Sequence, residues 1–158
     1  MKQEKLYSER DDARDTLVVD PDKFYPFFDN LIKKLTKNTI FECHYADMID
    51  SPKVDSAVIL RCHPYQIEAR LRPRGYSDAK IKENAQAELL GDSTSFMLEK
   101  EELLNSNRIF EIDTSNPTIG ELSKIIDGIF QHPEDNLQYL AGKLSWLSDE
   151  SIDLTKYQ

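Results

Sequence analysis

Apolar side chains recur at three- and four-residue spacing in several stretches of the chain, which is typical of helices with one buried face. The first helix is predicted after Asp20-Pro21, because aspartate is a good N-cap and proline suits the first helical turn. A short helix is predicted from Tyr65 to Arg72, a longer one after Ser77-Asp78, and another after Thr118. The apolar stripes of the three longer helices contain Phe24, Phe27, Phe28, Leu31, Ile32 and Leu35, then Ile81, Ala85, Leu89 and Leu90, then Leu122, Ile125, Ile126, Ile129 and Phe130.

Three short apolar runs between these helices predict β-strands, at Thr39–His44, Ala57–Cys62 and Arg108–Ile112. The unbroken run of the second strand indicates burial on both faces, as in a parallel sheet that is covered by helices. Because strands and helices alternate, the predicted fold class is α/β, a three-layer domain with a parallel sheet. Ligands bind such folds beyond the carboxyl ends of the strands, so the polar residues that follow each strand are candidates for chemistry.

The length, composition and net charge of the chain argue against several classes of protein. A length of 158 residues fits a single domain, residues 1–158, and no linker or repeat divides the chain. No apolar run approaches the ~18–20 residues that span a bilayer, so no membrane contact is expected. A net charge of −9 argues against direct DNA binding. Two cysteines do not make a disulfide framework, and the charged first residues do not resemble a signal peptide, so a cytoplasmic location is predicted.

The first candidate site is Glu42-Cys43-His44 at the end of the first predicted strand. Residues two apart on a strand face the same way, so Glu42 and His44 could share one cleft. A carboxylate there can hold Mg²⁺ or its water, and an imidazole can orient or accept a proton. The alternative interpretation is a strand end that carries solvated polar residues.

The second candidate is a cationic loop, residues 70–76, in which Arg70, Arg72 and Arg74 precede Gly75-Tyr76. The guanidinium fork matches phosphate oxygens, and Gly75 would let the backbone swing as a closing lid requires. In an acidic chain this loop is a candidate phosphate-binding element. The alternative is an ordinary solvated run of charge.

Two Cys-His dipeptides, Cys43-His44 and Cys62-His63, could suggest zinc. Neighbouring strand residues point to opposite faces, however, so buried thiols are predicted instead of a metal site. The sequence contains five glycines and no G-x-x-x-x-G-K-[ST], G-x-G-x-x-G or G-x-S-x-G motif.

Several blocks, in order along nearly the whole chain, carry a family resemblance: Glu4–Tyr7, Asp11-Asp12, Asp15 and Leu17–Asp20, then Glu42–Tyr45, then Arg70–Tyr76 with Lys80–Asn84 and Ala87-Glu88, then Asp113–Asn116, then Ala141–Lys143 with Trp146. Together they resemble the adenylate kinase isoenzyme 6-type nucleotide kinases, in particular their archaeal branch. The block from Arg70 to Glu88 is the most specific part.

The resemblance implies a P-loop kinase-like fold that transfers the γ-phosphoryl group of ATP to AMP or a related monophosphate, with Mg²⁺. Residues 73–83 would form the lid, and residues 1–19 would bind the monophosphate through Leu6, Tyr7, Asp15 and Val19. ATP would be contacted by Arg70 and Arg74 from the lid side and framed at its adenine by Thr114, Ser115 and Asn116. Glu42 would hold a Mg²⁺-bound water, without a direct metal ligand, and His44 would assist the transfer. The family is also associated with small ribosomal subunit maturation, through a small-subunit ribosomal protein.

The family's first strand, its G-x-P-G-x-G-K-T phosphate loop and the following helix have no counterpart in these 158 residues. In the family that strand lies between the strands that match Thr39–His44 and Ala57–Cys62. The expected sheet therefore lacks its central strand, with either an unfilled slot or direct pairing of the two flanking strands. The alternatives to a kinase are a non-catalytic binding module and an inactive truncated paralogue.

Overall fold

The computed structural model describes residues 5–12, 16–44, 47, 49 and 51–157. The chain forms two compact units, Met1–Lys53 and Val54–Gln158.

Among its described residues, the first unit contains a β-hairpin and an α-helix. Strands β1 (Tyr7–Asp11) and β2 (Thr16–Val19) pair antiparallel, and α1 (Pro21–Lys33) follows directly. The side chain of Asp20 accepts a hydrogen bond from the amide of Asp22, which confirms the predicted helix start. The hairpin was not predicted, because β1 is mostly polar and exposed and carries no apolar run.

The predicted strand at Thr39–His44 is wrong, because these residues are irregular and Ile40 is 72% exposed. A strand is stabilised by backbone hydrogen bonds to a neighbour. In the described part of the chain, neither sheet includes residues 39–44. The expected direct pairing of this segment with Ala57–Cys62 is likewise not observed there.

The second unit is built on two parallel strands, β3 (Ala57–Arg61) and β4 (Ile109–Asp113), in register from Ala57 opposite Ile109 to Arg61 opposite Asp113. Its helices are α2 (Pro64–Leu71), α3 (Asp78–Leu90), α4 (Asp92–Leu98), α5 (Glu101–Asn105) and α6 (Ile119–Gln131). The α/β prediction with parallel strands is therefore confirmed, in agreement with a P-loop kinase-like fold.

Side-chain alternation along the strands produces three layers in this unit. One face, with Ile59 and Ile109, packs on Met97 of α4 and Leu103 of α5. The other, with Phe110 and Ile112, packs on α6. Burial of β3 on both faces was predicted, but Leu60 is 53% exposed. Among the described residues, no helix has the length and apolar character needed to cross a membrane.

Candidate functional site

The carboxyl ends of β3 and β4 are joined by hydrogen bonds that organise the loop after β4. The amide and hydroxyl of Thr114 both donate to the carbonyl oxygen of Arg61, at 2.8 and 2.7 Å. The amide of His63 donates to Oγ of Ser115 at 2.8 Å, and the amide of Ser115 donates to Oδ1 of Asp113 at 2.8 Å. The main chain through residues 113–115 is thereby fixed to the end of β3.

Arg70 connects this loop to α2. Its Nη2 donates to the carbonyl oxygen of Thr114 at 2.9 Å. The structure thus brings together three sequence-predicted residues, Arg70, Thr114 and Ser115. Asn116, the fourth, follows them on the exposed part of the loop. The Thr114 hydroxyl is buried and donates to the carbonyl oxygen of Arg61, whereas the Asn116 side chain is exposed.

The cationic loop forms a turn between α2 and α3. A 3₁₀ turn spans Arg72–Arg74, and Gly75 follows with φ of 78°, a left-handed conformation that glycine adopts without strain. Nη1 of Arg72 lies 3.0 Å from Oδ1 of Asp78, with both side chains exposed, and Arg74 is exposed as well. Oγ of Ser77 accepts from the amide of Lys80, which confirms the predicted cap of α3.

The remaining predicted residues belong to the first unit. Glu42 and His44 are exposed in the irregular segment, so the argument that strand geometry turns both into one cleft does not apply. Tyr7 lies opposite Val19 in the hairpin, and the carbonyl oxygen of buried Leu6 accepts from the amide of Asp20 at 3.1 Å. Asp15 lies outside the described residues.

Sequence reasoning missed a buried charged network around Arg61, whose side chain is 2% exposed. The Arg61 guanidinium donates to the carboxylates of Glu88 and Glu111 at 2.5 Å each, and to Oγ1 of Thr94 at 3.0 Å. The other Glu111 oxygen accepts from the amides of Gly142 and Leu144, both at 3.2 Å. A signal was present: Arg61 and Glu111 are opposite charges inside two predicted strands, the first of which was predicted to be buried, and buried charges need partners.

Burial shifts two titratable groups at this end of the sheet. It raises the pKa of the Glu88 carboxyl, although hydrogen bonds from Trp146 and Arg61 oppose the shift. It also raises the pKa of the Cys62 thiol, against the nearby charge of Arg70. Cys62 is buried as predicted, whereas Cys43 is exposed because its segment is not a covered strand.

Known proteins are similar in sequence to this chain over most of its length. A protein of Methanosarcina acetivorans named "Putative adenylate kinase" is 33% identical over an alignment 157 positions long, which covers 93% of this chain and 80% of the relative. Proteins of the same name from Methanococcus maripaludis and Saccharolobus islandicus are 34% and 28% identical, over 91% and 94% of this chain and 72% and 70% of their own lengths. No family model matches the chain.

Proposed function

The chain belongs to the family of these archaeal proteins named "Putative adenylate kinase", and we propose that it is a nucleotide kinase that transfers the γ-phosphoryl group of ATP to AMP or a related monophosphate. The relatives' name supports a kinase-type function. The finer assignment of nucleotide, acceptor and residues depends on the geometry at the ends of β3 and β4.

The observation that carries the proposal is the hydrogen bond from Arg70 to the carbonyl oxygen of Thr114. It joins the helix that leads into the cationic loop to the loop that the family resemblance assigns to adenine. A nucleotide with its base at Asn116 would then have its phosphates on the side of the cationic loop. Helix α2 and the hydrogen-bonded ends of β3 and β4 hold the cationic loop and the loop after β4 in place before the nucleotide arrives.

Phosphoryl transfer needs charge neutralisation and alignment more than covalent chemistry. In the proposal, Arg74 contacts the ATP phosphates through its exposed guanidinium, and Arg70 positions the loop beside the base. A guanidinium fork binds phosphate oxygens in a bidentate manner, which a lysine cannot reproduce.

We assign Leu6, Tyr7 and Val19 of the hairpin, together with Asp15, to monophosphate binding. Glu42 is an exposed carboxylate, which suits a hydrogen bond to a Mg²⁺-bound water, since bound Mg²⁺ keeps several of its waters. When bound, Mg²⁺ would neutralise phosphate charge. His44 would orient or accept a proton near the acceptor.

The test is direct measurement of ADP formation from ATP and AMP, with ATP affinity measured by titration calorimetry. The 158-residue chain is compared with a version that carries the strand, G-x-P-G-x-G-K-T loop and helix of the family ahead of residue 1. We expect ATP binding that Asn116→Ala weakens, and turnover at least in the extended version. Absence of turnover in the extended version would overturn the kinase assignment.

A second candidate role is binding a basic partner, such as a small-subunit ribosomal protein in the cytoplasm. The net charge of −9 favours association with a basic surface. Titration of a purified small-subunit ribosomal protein at low and high salt tests this role. Salt-sensitive binding by a chain with no measurable ATP affinity would favour the binding role over the kinase.

A further inference from the structure

Residues 146–157, here called the C-terminal segment, contribute to the packing of the hairpin formed by α2 and α3. The buried cluster beside α3 has five members, of which Ala85 and Leu89 come from the helix and Trp146, Ile152 and Tyr157 from the C-terminal segment. Tyr65 of α2 packs against the same cluster. The C-terminal segment therefore supplies most of the apolar surface that this cluster buries.

Polar contacts connect the end of this segment to α2. Glu68 accepts hydrogen bonds from Nζ of Lys156 at 2.6 Å and from the Tyr157 hydroxyl at 2.5 Å. The amide of Asp153 donates to the Tyr65 hydroxyl at 2.7 Å, and Nζ of Lys156 lies 4.8 Å from the centre of the Tyr65 ring. Charge-assisted hydrogen bonds and a cation over an aromatic face are among the stronger polar contacts at a surface.

The same residues also bind α3, because the side-chain amide of Gln86 donates to the carbonyl oxygen of Tyr157. One short stretch, residues 153–157, thus holds both helices at the base of the hairpin. At the opposite end, residues 72–79 are all exposed, and the side chains of the ion pair between Arg72 and Asp78 there are 63% and 87% exposed. Exposed ion pairs of this kind contribute little to stability.

We propose that residues 153–157 form a latch that fixes the base of the α2–α3 hairpin through Glu68 and Gln86 and so sets the mobility of the cationic loop at its tip. That this tip is the lid over ATP rests on the proposed function; the latch itself does not. Because Glu68 lies between Tyr65 and Arg70 on one short helix, release of the latch would loosen α2 at Tyr65 and Glu68, while the hydrogen bond of Arg70 to Thr114 still connects the helix to the strand ends.

Hydrogen exchange without nucleotide tests the latch, using Glu68→Ala and the milder Tyr157→Phe. In Glu68→Ala we expect amide exchange in α2 and the C-terminal half of α3 to become about tenfold faster, as loss of two strong hydrogen bonds predicts. Trypsin cleavage after Arg74 should accelerate similarly, while exchange in α6 stays unchanged. Tyr157→Phe, which keeps the Lys156 contact, should give a smaller effect of the same pattern.

Tyr139→Phe is the matched control, since it removes the hydroxyl of a tyrosine that packs on the α6 side of the sheet. It should leave α2, α3 and cleavage after Arg74 unchanged. Unchanged exchange in α2 and α3 in both latch variants, or equal acceleration in α6, would overturn the proposal. Since no nucleotide is present, failure of ATP to bind would count against the kinase assignment alone.

Discussion

At the scale of single residues, Arg61 shows how a buried charge constrains the fold. Its guanidinium is surrounded by Glu88, Glu111 and Thr94. Removal of the cation would leave two carboxylates in the interior without their main partner. Breaking a buried ion pair by removing one side costs about 3–5 kcal/mol, because the other charge stays desolvated.

We therefore expect Arg61→Met to lower the free energy of unfolding by about 3–5 kcal/mol, measured by urea denaturation with circular dichroism. Arg61→Lys keeps the charge but loses the fork, and should fall between wild type and Arg61→Met. Arg72→Ala, which removes only an exposed ion pair, is the control and should change this free energy by less than about 1 kcal/mol. A loss below about 1 kcal/mol in Arg61→Met would contradict the prediction.

Glu68 gives a prediction of pH dependence. Burial would raise the pKa of its carboxyl, but hydrogen bonds from Lys156 and Tyr157, together with the nearby charges of Lys156 and Arg72, outweigh burial and hold the pKa below its ordinary value of 4.5. A lowered pKa in the folded state stabilises the protein above the ordinary value, and this stabilisation is lost as the pH falls through the folded-state pKa.

The difference in unfolding free energy between wild type and Glu68→Gln should therefore be largest at neutral pH and shrink on acidification below 4.5. Urea denaturation of both proteins at pH 7 and at several acidic values measures it. A difference that stays constant over the whole range would show that the Glu68 charge does not contribute.

At the scale of elements, the turn between α2 and α3 contains two arginines, Arg72 and Arg74, for which we expect different roles. Arg74→Ala should lower phosphoryl transfer from ATP by roughly two to three powers of ten, equivalent to ~3–4 kcal/mol of transition-state stabilisation. Arg74→Lys should recover part of the rate, and Arg72→Ala should change little, since Arg72 pairs with exposed Asp78. The rate of phosphoryl transfer from ATP, measured for each variant of the active protein, checks this prediction. Equal and small effects at both arginines would indicate that the cationic loop is an ordinary solvated run of charge.

The elements that the sequence predicted well are those with local signals. Helices α1, α3 and α6 begin where Asp20, Ser77 and Thr118 were expected to cap them, and each side chain accepts a backbone hydrogen bond. A capping side chain binds a backbone amide within four residues of itself, so a cap can be predicted from the local sequence. The strand at Thr39–His44 failed because a strand also depends on a distant neighbour, which local sequence does not reveal.

The candidate site likewise contains features that the sequence predicted and contacts that it did not reveal. The rule for strand ends selected the polar residues after β3 and β4, and the structure joins these two ends through the contacts of Thr114 with Arg61 and of Ser115 with His63. The contacts of Glu88 with Arg61, and of Glu68 with Tyr157, join residues far apart in the chain. These pairs depend on how helices pack, so the sequence pattern did not reveal them.

At the scale of the whole molecule, the second unit has buried clusters of its own. The three buried clusters lie entirely within residues 54–158. A fragment of these residues should therefore keep its helical circular dichroism and unfold cooperatively in urea. Its midpoint should lie close to that of the corresponding transition in the full chain, which serves as the control. A fragment without a cooperative transition would show that the first unit is needed for folding.

Trp146 has a further consequence, because it is the single tryptophan of the chain. Its indole N–H donates to Glu88 at 2.8 Å, and its ring meets that of His63 edge to face at 5.3 Å between centroids. His63 in turn binds Ser115 through its backbone amide. Trp146 is therefore connected through His63 to the loop proposed to frame adenine. We expect tryptophan fluorescence to report on that loop without any added label.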